Sequence, residues 1–126
     1  MIPDLASIVA YRVQDATGRG PWRPGFSHIW IDAAAPAGRL VETIFDLLPA
    51  PALRALPGTM VYGCACRSRD ALMEWFTPIE RRRLEVGGFH PVRLNADCVL
   101  AESATQMLIG RRRPFTEGAT RLRWPP

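Results

Sequence analysis

Tyr11-Arg12-Val13-Gln14-Asp15, followed by Gly18-Arg19-Gly20-Pro21-Trp22-Arg23-Pro24-Gly25, is the stretch from which the rest of the chain is read. Ser7 to Val13 is rich in β-branched and aromatic residues (Ile8, Val9, Tyr11, Val13), which predicts a first strand carrying Arg12 near its end. The hydrophobic pattern then stops, and Gly and Pro turn the chain around a Trp and two Arg. An arginine at a strand end, beside a rigid loop with an aromatic, suits a phosphate-bearing ligand. The guanidinium offers a planar fork of donors to phosphate oxygens, and the indole offers a stacking face. The same residues also suit a surface loop in which Gly and Pro only turn the chain.

Outward from this stretch, Ile29-Trp30-Ile31 is a candidate short strand, and Gly38 to Leu48 carries Leu40, Val41, Ile44, Phe45, Leu47 and Leu48 at helical spacing. Pro49, Pro51 and Pro57 are expected to end that helix and keep the next residues irregular. Thr59 to Ala65 is short and apolar, so it reads as a second, central strand. Ser68 is placed to cap a helix over 69–76. Thr77-Pro78-Ile79-Glu80 has a Thr at the cap, a Pro at the first helical position and a Glu at the third, which predicts a capping box and a second helix over 78–86, stopped by Gly87-Gly88. Phe89 to Leu94 is a third strand, with Pro91 implying an edge or an early break. Asp97 to Ser103 reads as a turn or short helix, Thr105 to Ile109 as a fourth strand, and Thr120 to Trp124 as a fifth. The expectation is one α+β domain over residues 1–126, a small mixed or antiparallel sheet of about five strands with two to three helices.

Length and charge narrow the class. The chain has 126 residues, 48% hydrophobic and 22% charged, the balance of a globular domain able to bury its own core. All 16 basic residues are arginine, and the net charge is +4. A GC-rich genome accounts for an arginine-only chain, since the Ala and Pro content points the same way; selection for bidentate phosphate or carboxylate contacts is the sharper explanation. The basic pI of about 9.6 permits nucleic-acid binding without establishing it. The start, Met1-Ile2-Pro3-Asp4, lacks the basic and apolar regions of a signal peptide, no apolar run reaches the ~20 residues of a membrane span, and the cysteine count is odd. A cytoplasmic setting with reduced thiols and no membrane is expected.

Four residue sets could carry chemistry. Cys64-x-Cys66 with His90 and Cys98 has metal-ligand side chains but a spacing unusual for zinc, so no metal is expected. Cys64 or Cys66 with His90 could form a nucleophilic pair, with Arg67 and the following helix start lowering the thiol pKa; small buried cysteines are the plainer reading. Arg81-Arg82-Arg83 spreads around its helix beside Glu80 and Glu85, a solvated and self-neutralised face, whereas Arg111-Arg112-Arg113 sits in a turn, unpaired in sequence, and is the better phosphate candidate. Glu102-Ser103-Ala104-Thr105-Gln106 puts an acid and an amide at the entry to the apolar Met107-Leu108-Ile109, where they could orient a hydroxyl, stabilise a developing cation or simply turn the chain.

A Tyr-Arg on a first strand, a small polar segment at a central strand, and an acid or amide entering a late apolar strand together resemble the ADP-ribosyltransferase fold. The resemblance implies that Arg12 contacts NAD phosphate or ribose, and that the family's central-strand serine corresponds to Ser68, here just after the strand. It implies that Gln106 stands at the position of the glutamate that holds the nicotinamide ribose, with Glu102 four residues too early. Gln lacks the charge that stabilises an oxocarbenium-like ribose. The pattern Tyr-Arg-x-x-Asp, Gly-x-Gly-Pro-aromatic-x-Pro-Gly, Trp-Phe-Thr-x-x-Glu and Ala-Glu-Ser-x-x-Gln is also similar to that of small uncharacterised proteins of bacteria and their phages. The expectation that follows is a nucleotide-binding, ADP-ribosyltransferase-like domain of phage or prophage origin, NAD-using or a degenerate non-catalytic relative. Glu102 and Gln106 are its candidate catalytic residues, and Arg12, Trp22, Arg23 and Ser68 its candidate cofactor-binding residues. The alternative is a non-enzymatic protein that binds and inhibits a host protein or nucleoprotein. Nucleic-acid binding through Arg111–Arg113 ranks last, because the basic residues are scattered among acids.

Overall fold

The computed structural model of the chain describes residues 8–21, 30–32 and 48–125, and all that follows concerns those. The helix expected over 38–48 lies outside them but for its last residue, as do Trp22 and Arg23; of the strand expected at 29–31, Trp30 and Ile31 are described and are not in a strand. The elements run β1 (Ile8–Gln14), α1 (Ala50–Arg54), β2 (Val61–Ala65), α2 (Arg69–Trp75), α3 (Pro78–Val86), β3 (His90–Ala96), β4 (Cys98–Glu102), β5 (Met107–Arg111) and β6 (Thr120–Arg121). The class is α+β as expected, with six strands rather than about five among the described residues and three helices.

The strands form two antiparallel three-stranded sheets, ordered β1-β3-β6 and β2-β5-β4. They are joined where Tyr11 of β1 and Cys66, just past β2, exchange backbone hydrogen bonds of 3.0 and 2.7 Å. Ala10, Ala65, Val92, Leu94, Ala96, Met107, Ile109 and Phe115 form one buried cluster, to which both sheets contribute. Along β1 the alternation of side chains sends Ala10 and Arg12 toward that cluster and Tyr11 and Val13 to the other face. There a second cluster packs Val13 and Cys66 against Leu72 of α2, Phe76, Leu84 of α3, Phe89 and Trp30.

Local signals account for the helices. Ser68 Oγ accepts from the backbone N–H of Ala71 at 3.1 Å and starts α2. At α3 the Thr77 hydroxyl accepts from the N–H of Glu80 at 3.2 Å, and Glu80 Oε1 accepts from the N–H of Thr77 at 2.9 Å, the expected capping box with Pro78 at the first position. Phe76, just before that cap, packs on Trp30 and Trp124 with ring centroids 5.5 and 5.8 Å apart and shares its cluster with Leu84.

Several elements differ from the sequence expectation. β2, expected to be central, is an edge strand of its sheet with β5 in the middle, since its short apolar run does not report how many neighbours it pairs with. Residues 49–57 are not wholly irregular: α1 begins with Pro51 in its first turn, where a missing N–H has no intrahelical partner to lose. Asp97–Ser103 is not a turn or helix; it contains β4, whose register shifts between Val99 and Ala101. That irregularity, with intermediate burial along most of the strand, erased the alternation that marks a strand in sequence. Pro91 sits inside β3, the central strand of its sheet. Its carbonyl accepts from Leu122 at 2.8 Å, so its missing N–H also faces the β6 side, where the ladder ends at Arg121.

Candidate functional site

Arg12 is the centre of the candidate site. Its residue is 6% exposed, and its guanidinium lies over the Phe115 ring, 4.1 Å from the centroid. Nη1 donates to Gln14 Oε1 and to the carbonyl of Gly18, both at 3.0 Å. Gln14 in turn donates to the carbonyl of Phe115 at 2.9 Å, tying the end of β1 to the loop after β5. Nη2 lies against two glycines: a β-carbon at Gly63 or Gly20 would stand 3.0 or 3.2 Å from it. Nε is buried and has no hydrogen-bond partner among the described residues. The Nε/Nη2 edge, the side of a guanidinium that receives two oxygens of one anion, therefore carries no hydrogen bond there, while Nη1 is fully engaged.

No carboxylate closes an ion pair with Arg12 among the described residues. Burial holds the guanidinium down to about 10, with Cys64 and Asp15 pulling the other way. Asp15 itself is turned onto its loop, where its Oδ1 accepts from the N–H groups of Thr17 and Arg19 at 2.9 and 3.0 Å. The result is a buried cation whose Nε/Nη2 edge has no hydrogen-bond partner among the described residues.

Strand register gathers the other candidate positions at the Cys66 end of β2, whereas the Arg12 guanidinium reaches along β2 the other way, to Gly63. Tyr11, next to Arg12, is bridged to Cys66; one residue earlier, Ala65 pairs with Met107, which pairs on its far side with Glu102. Ser68 leaves β2 at that end and is engaged as the cap of α2. Arg67 binds Glu102 through Nε at 3.1 Å and through Nη2, which also reaches the carbonyl of Ser103 at 2.8 Å, so the Glu102 carboxylate is held at the surface. Gln106 is 6% exposed and enters β5 through a tight turn in which its N–H donates to Ser103 Oγ at 3.0 Å. Met107 and Ile109 face the Arg12 core, so alternation turns Gln106 to the opposite face with Leu108. No contact joins Arg12 to Ser68, Glu102 or Gln106 among the described residues.

The Arg111–Arg113 triplet does not present three cations. Arg111 is fully buried: Nη1 donates to the Pro114 carbonyl at 2.6 Å and Nη2 to that of Glu117, shaping the loop after β5. Arg113 stands 3.9 Å from Glu117, and Arg112, the remaining exposed charge, has the Asp97 carboxylate on its backbone N–H at 2.7 Å. The reason is the strand period: Met107, Ile109 and Arg111 share one face, and that face is the core. Cys64, Cys66 and Cys98 form no disulfide, and no group of three metal-ligating side chains occurs among the described residues.

Sequence reading missed Phe115, Gln14 and Gly63 as companions of Arg12. The Gln14–Phe115 bond spans 101 residues, a distance no local pattern reports. Gly63 did carry a signal, since a glycine inside a strand marks a close approach of another group. No helix among the described residues is long and apolar enough to cross a membrane. No family model, curated protein or solved structure matches the chain.

Proposed function

We propose that the protein is a nucleotide-binding domain of the ADP-ribosyltransferase type, with Arg12 as its phosphate anchor and NAD or ADP-ribose as its ligand. The observation that carries the reading is the buried Arg12 guanidinium, whose Nε/Nη2 edge has no partner among the described residues. A buried charge without a counter-charge costs stability, and an anion placed on a bidentate edge recovers much of it. The Nη1 side of the guanidinium, fixed on Gln14 and Gly18, orients Arg12 for that role, while Ser68, Glu102 and Gln106 lie beyond its contacts.

Binding without efficient transfer is the chemistry this set of residues favours. Stabilising a ribose oxocarbenium ion needs a carboxylate, and Gln106 offers only an amide dipole while Glu102 is neutralised by Arg67. The three cysteines without disulfides fit a reducing, cytoplasmic setting, and phage or prophage origin follows from the pattern resemblance. Calorimetric titration with NAD, ADP-ribose and adenosine tests the reading. The phosphate-bearing ligands bind and adenosine does not; a chain indifferent to all three at millimolar concentration sinks the proposal. Chromatographic assay for nicotinamide release then separates a binder from an enzyme.

A second reading, inhibition of a host protein by direct contact, draws on Val61 and Tyr62, which are exposed on the edge strand β2. It predicts a stable, salt-insensitive complex lost on Tyr62→Asp, with nucleotide binding unchanged.

A further inference from the structure

A groove of about 600 Å³ lies away from Arg12, between the C-terminal end of α3 and the segment that follows β6. Its walls are Glu85, His90, Arg121, Arg123 and Trp124, over a floor that includes Pro91. Arg121, at the end of β6, and Arg123, two residues on, both line the groove. The segment is pinned: Leu122 donates to the Pro91 carbonyl at 2.8 Å, and Arg69 donates to the Arg123 carbonyl at 3.4 Å. Neither Arg121 nor Arg123 makes an ion pair among the described residues. His90 is close enough to Arg121 for that charge, after burial, to push its pKa down, with Glu85 opposing. Trp124 is half-buried on Phe76, and its indole N–H has no hydrogen-bond partner among the described residues.

Two arginines thus face one acid across a concave surface, with the His90 imidazole, whose pKa is pushed down by burial and by Arg121, as an uncharged hydrogen-bonding group beside them. Like charges held together in this way repel one another, and a groove lined mainly by one sign concentrates the opposite ion. The fork of each arginine fits phosphate oxygens two at a time, and two forks lining one groove suit a single tetrahedral anion or its ester. From these observations we infer that the groove is a phosphate-binding site, separate from Arg12, formed by Arg121, Arg123 and His90 beside Trp124. The phosphate is either free or the monoester of a nucleotide, and Trp124 offers an aromatic wall to a base in the second case.

The test is a titration of the intact chain followed by NMR at the His90 ring and the Trp124 indole N–H, with inorganic phosphate, adenosine monophosphate, and sodium chloride matched in ionic strength. Phosphate and the monophosphate move both signals saturably and chloride does not. Tighter binding of the monophosphate identifies a nucleotide as the source; equal binding identifies free phosphate. Arg121→Ala with Arg123→Ala, two exposed positions whose loss leaves the core intact, weakens binding by about tenfold or more. Arg12→Met leaves it unchanged, which distinguishes this site from the one centred on Arg12. Absence of saturable shifts with phosphate and monophosphate, shifts reproduced by chloride, or equal affinity in the double variant overturns the inference.

Discussion

Arg12 keeps its charge at neutral pH in a place where the charge is unfavourable. Its folded-state value of about 10 lies well below the ordinary value of an arginine. Below about pH 10 both folded and unfolded chains hold the proton, and the cost of burial is present in full. As pH rises through that value the folded chain gives up the proton before the unfolded chain does, so the cost is lifted and stability from this group rises. Arg12→Met removes the charge while keeping the volume. At pH 7 this variant should lose about 1–3 kcal/mol in urea unfolding, because removing an unpaired buried charge offsets only part of the cost of leaving Gln14 Oε1 and the Gly18 carbonyl without a donor. Raising the pH through about 10 should improve the parent relative to the variant. A loss several times larger at neutral pH would mean that Arg12 is a structural keystone rather than a cation kept for a ligand.

Gly63 belongs to the same scale. A β-carbon there would stand 3.0 Å from Arg12 Nη2 and 3.4 Å from both Arg12 Cζ and Phe115 Cε2. Nη1 is already fixed on Gln14 and Gly18, so the guanidinium has little room to retreat. Gly63→Ala should cost about 1–2 kcal/mol by urea unfolding and should weaken NAD binding, since the Nε/Nη2 edge of Arg12 is what moves. Unchanged stability and unchanged binding would show that the space around Arg12 is looser than described.

At the scale of elements, the start of α3 is the best-determined junction. Glu80 is fully buried, and besides Oε1 on Thr77 its Oε2 accepts from the N–H of Asp32 at 3.0 Å. Thr77→Ala should cost about 1 kcal/mol, the usual size of a lost cap. Glu80→Ala should cost more, about 3 kcal/mol, because it leaves two backbone N–H groups without their acceptor in a buried place. Urea midpoints of the two variants at equal slopes check the ordering, and the reverse ordering would contradict it. This junction was legible in the sequence because all its parts lie within four residues. β4 was not legible because its bulge breaks the period that identifies strands, and α1 was not because prolines both end and start helices; here Pro49 is the cap and Pro51 lies in the first turn. Arg111 shows the intermediate case. Its burial could have been read from its place two residues after Ile109 on a core-facing strand, yet the neighbouring Arg112 and Arg113 made it look like part of an exposed cluster.

For the whole molecule, the α+β class was legible in the sequence, but the surroundings of Arg12 come from long-range packing. Phe115 and Gly63 reach it from the second sheet and its following loop, and only the assembled fold brings them there. Gln106 was legible as the residue entering β5; that it turns away from the core shared by Arg12 follows from strand pairing rather than from any motif. The central claim is that this assembly holds Arg12 ready for a phosphate-bearing nucleotide. Thermal unfolding with and without ligand tests it most directly, in the parent, in Arg12→Met, and in Arg121→Ala with Arg123→Ala. At tenfold excess over the dissociation constant, NAD or ADP-ribose should stabilise the parent by about 1.4 kcal/mol, a rise in melting temperature of about 5 °C. The rise should vanish in Arg12→Met and persist in the double variant. No rise in the parent at millimolar NAD or ADP-ribose, or a rise that survives Arg12→Met, would contradict it.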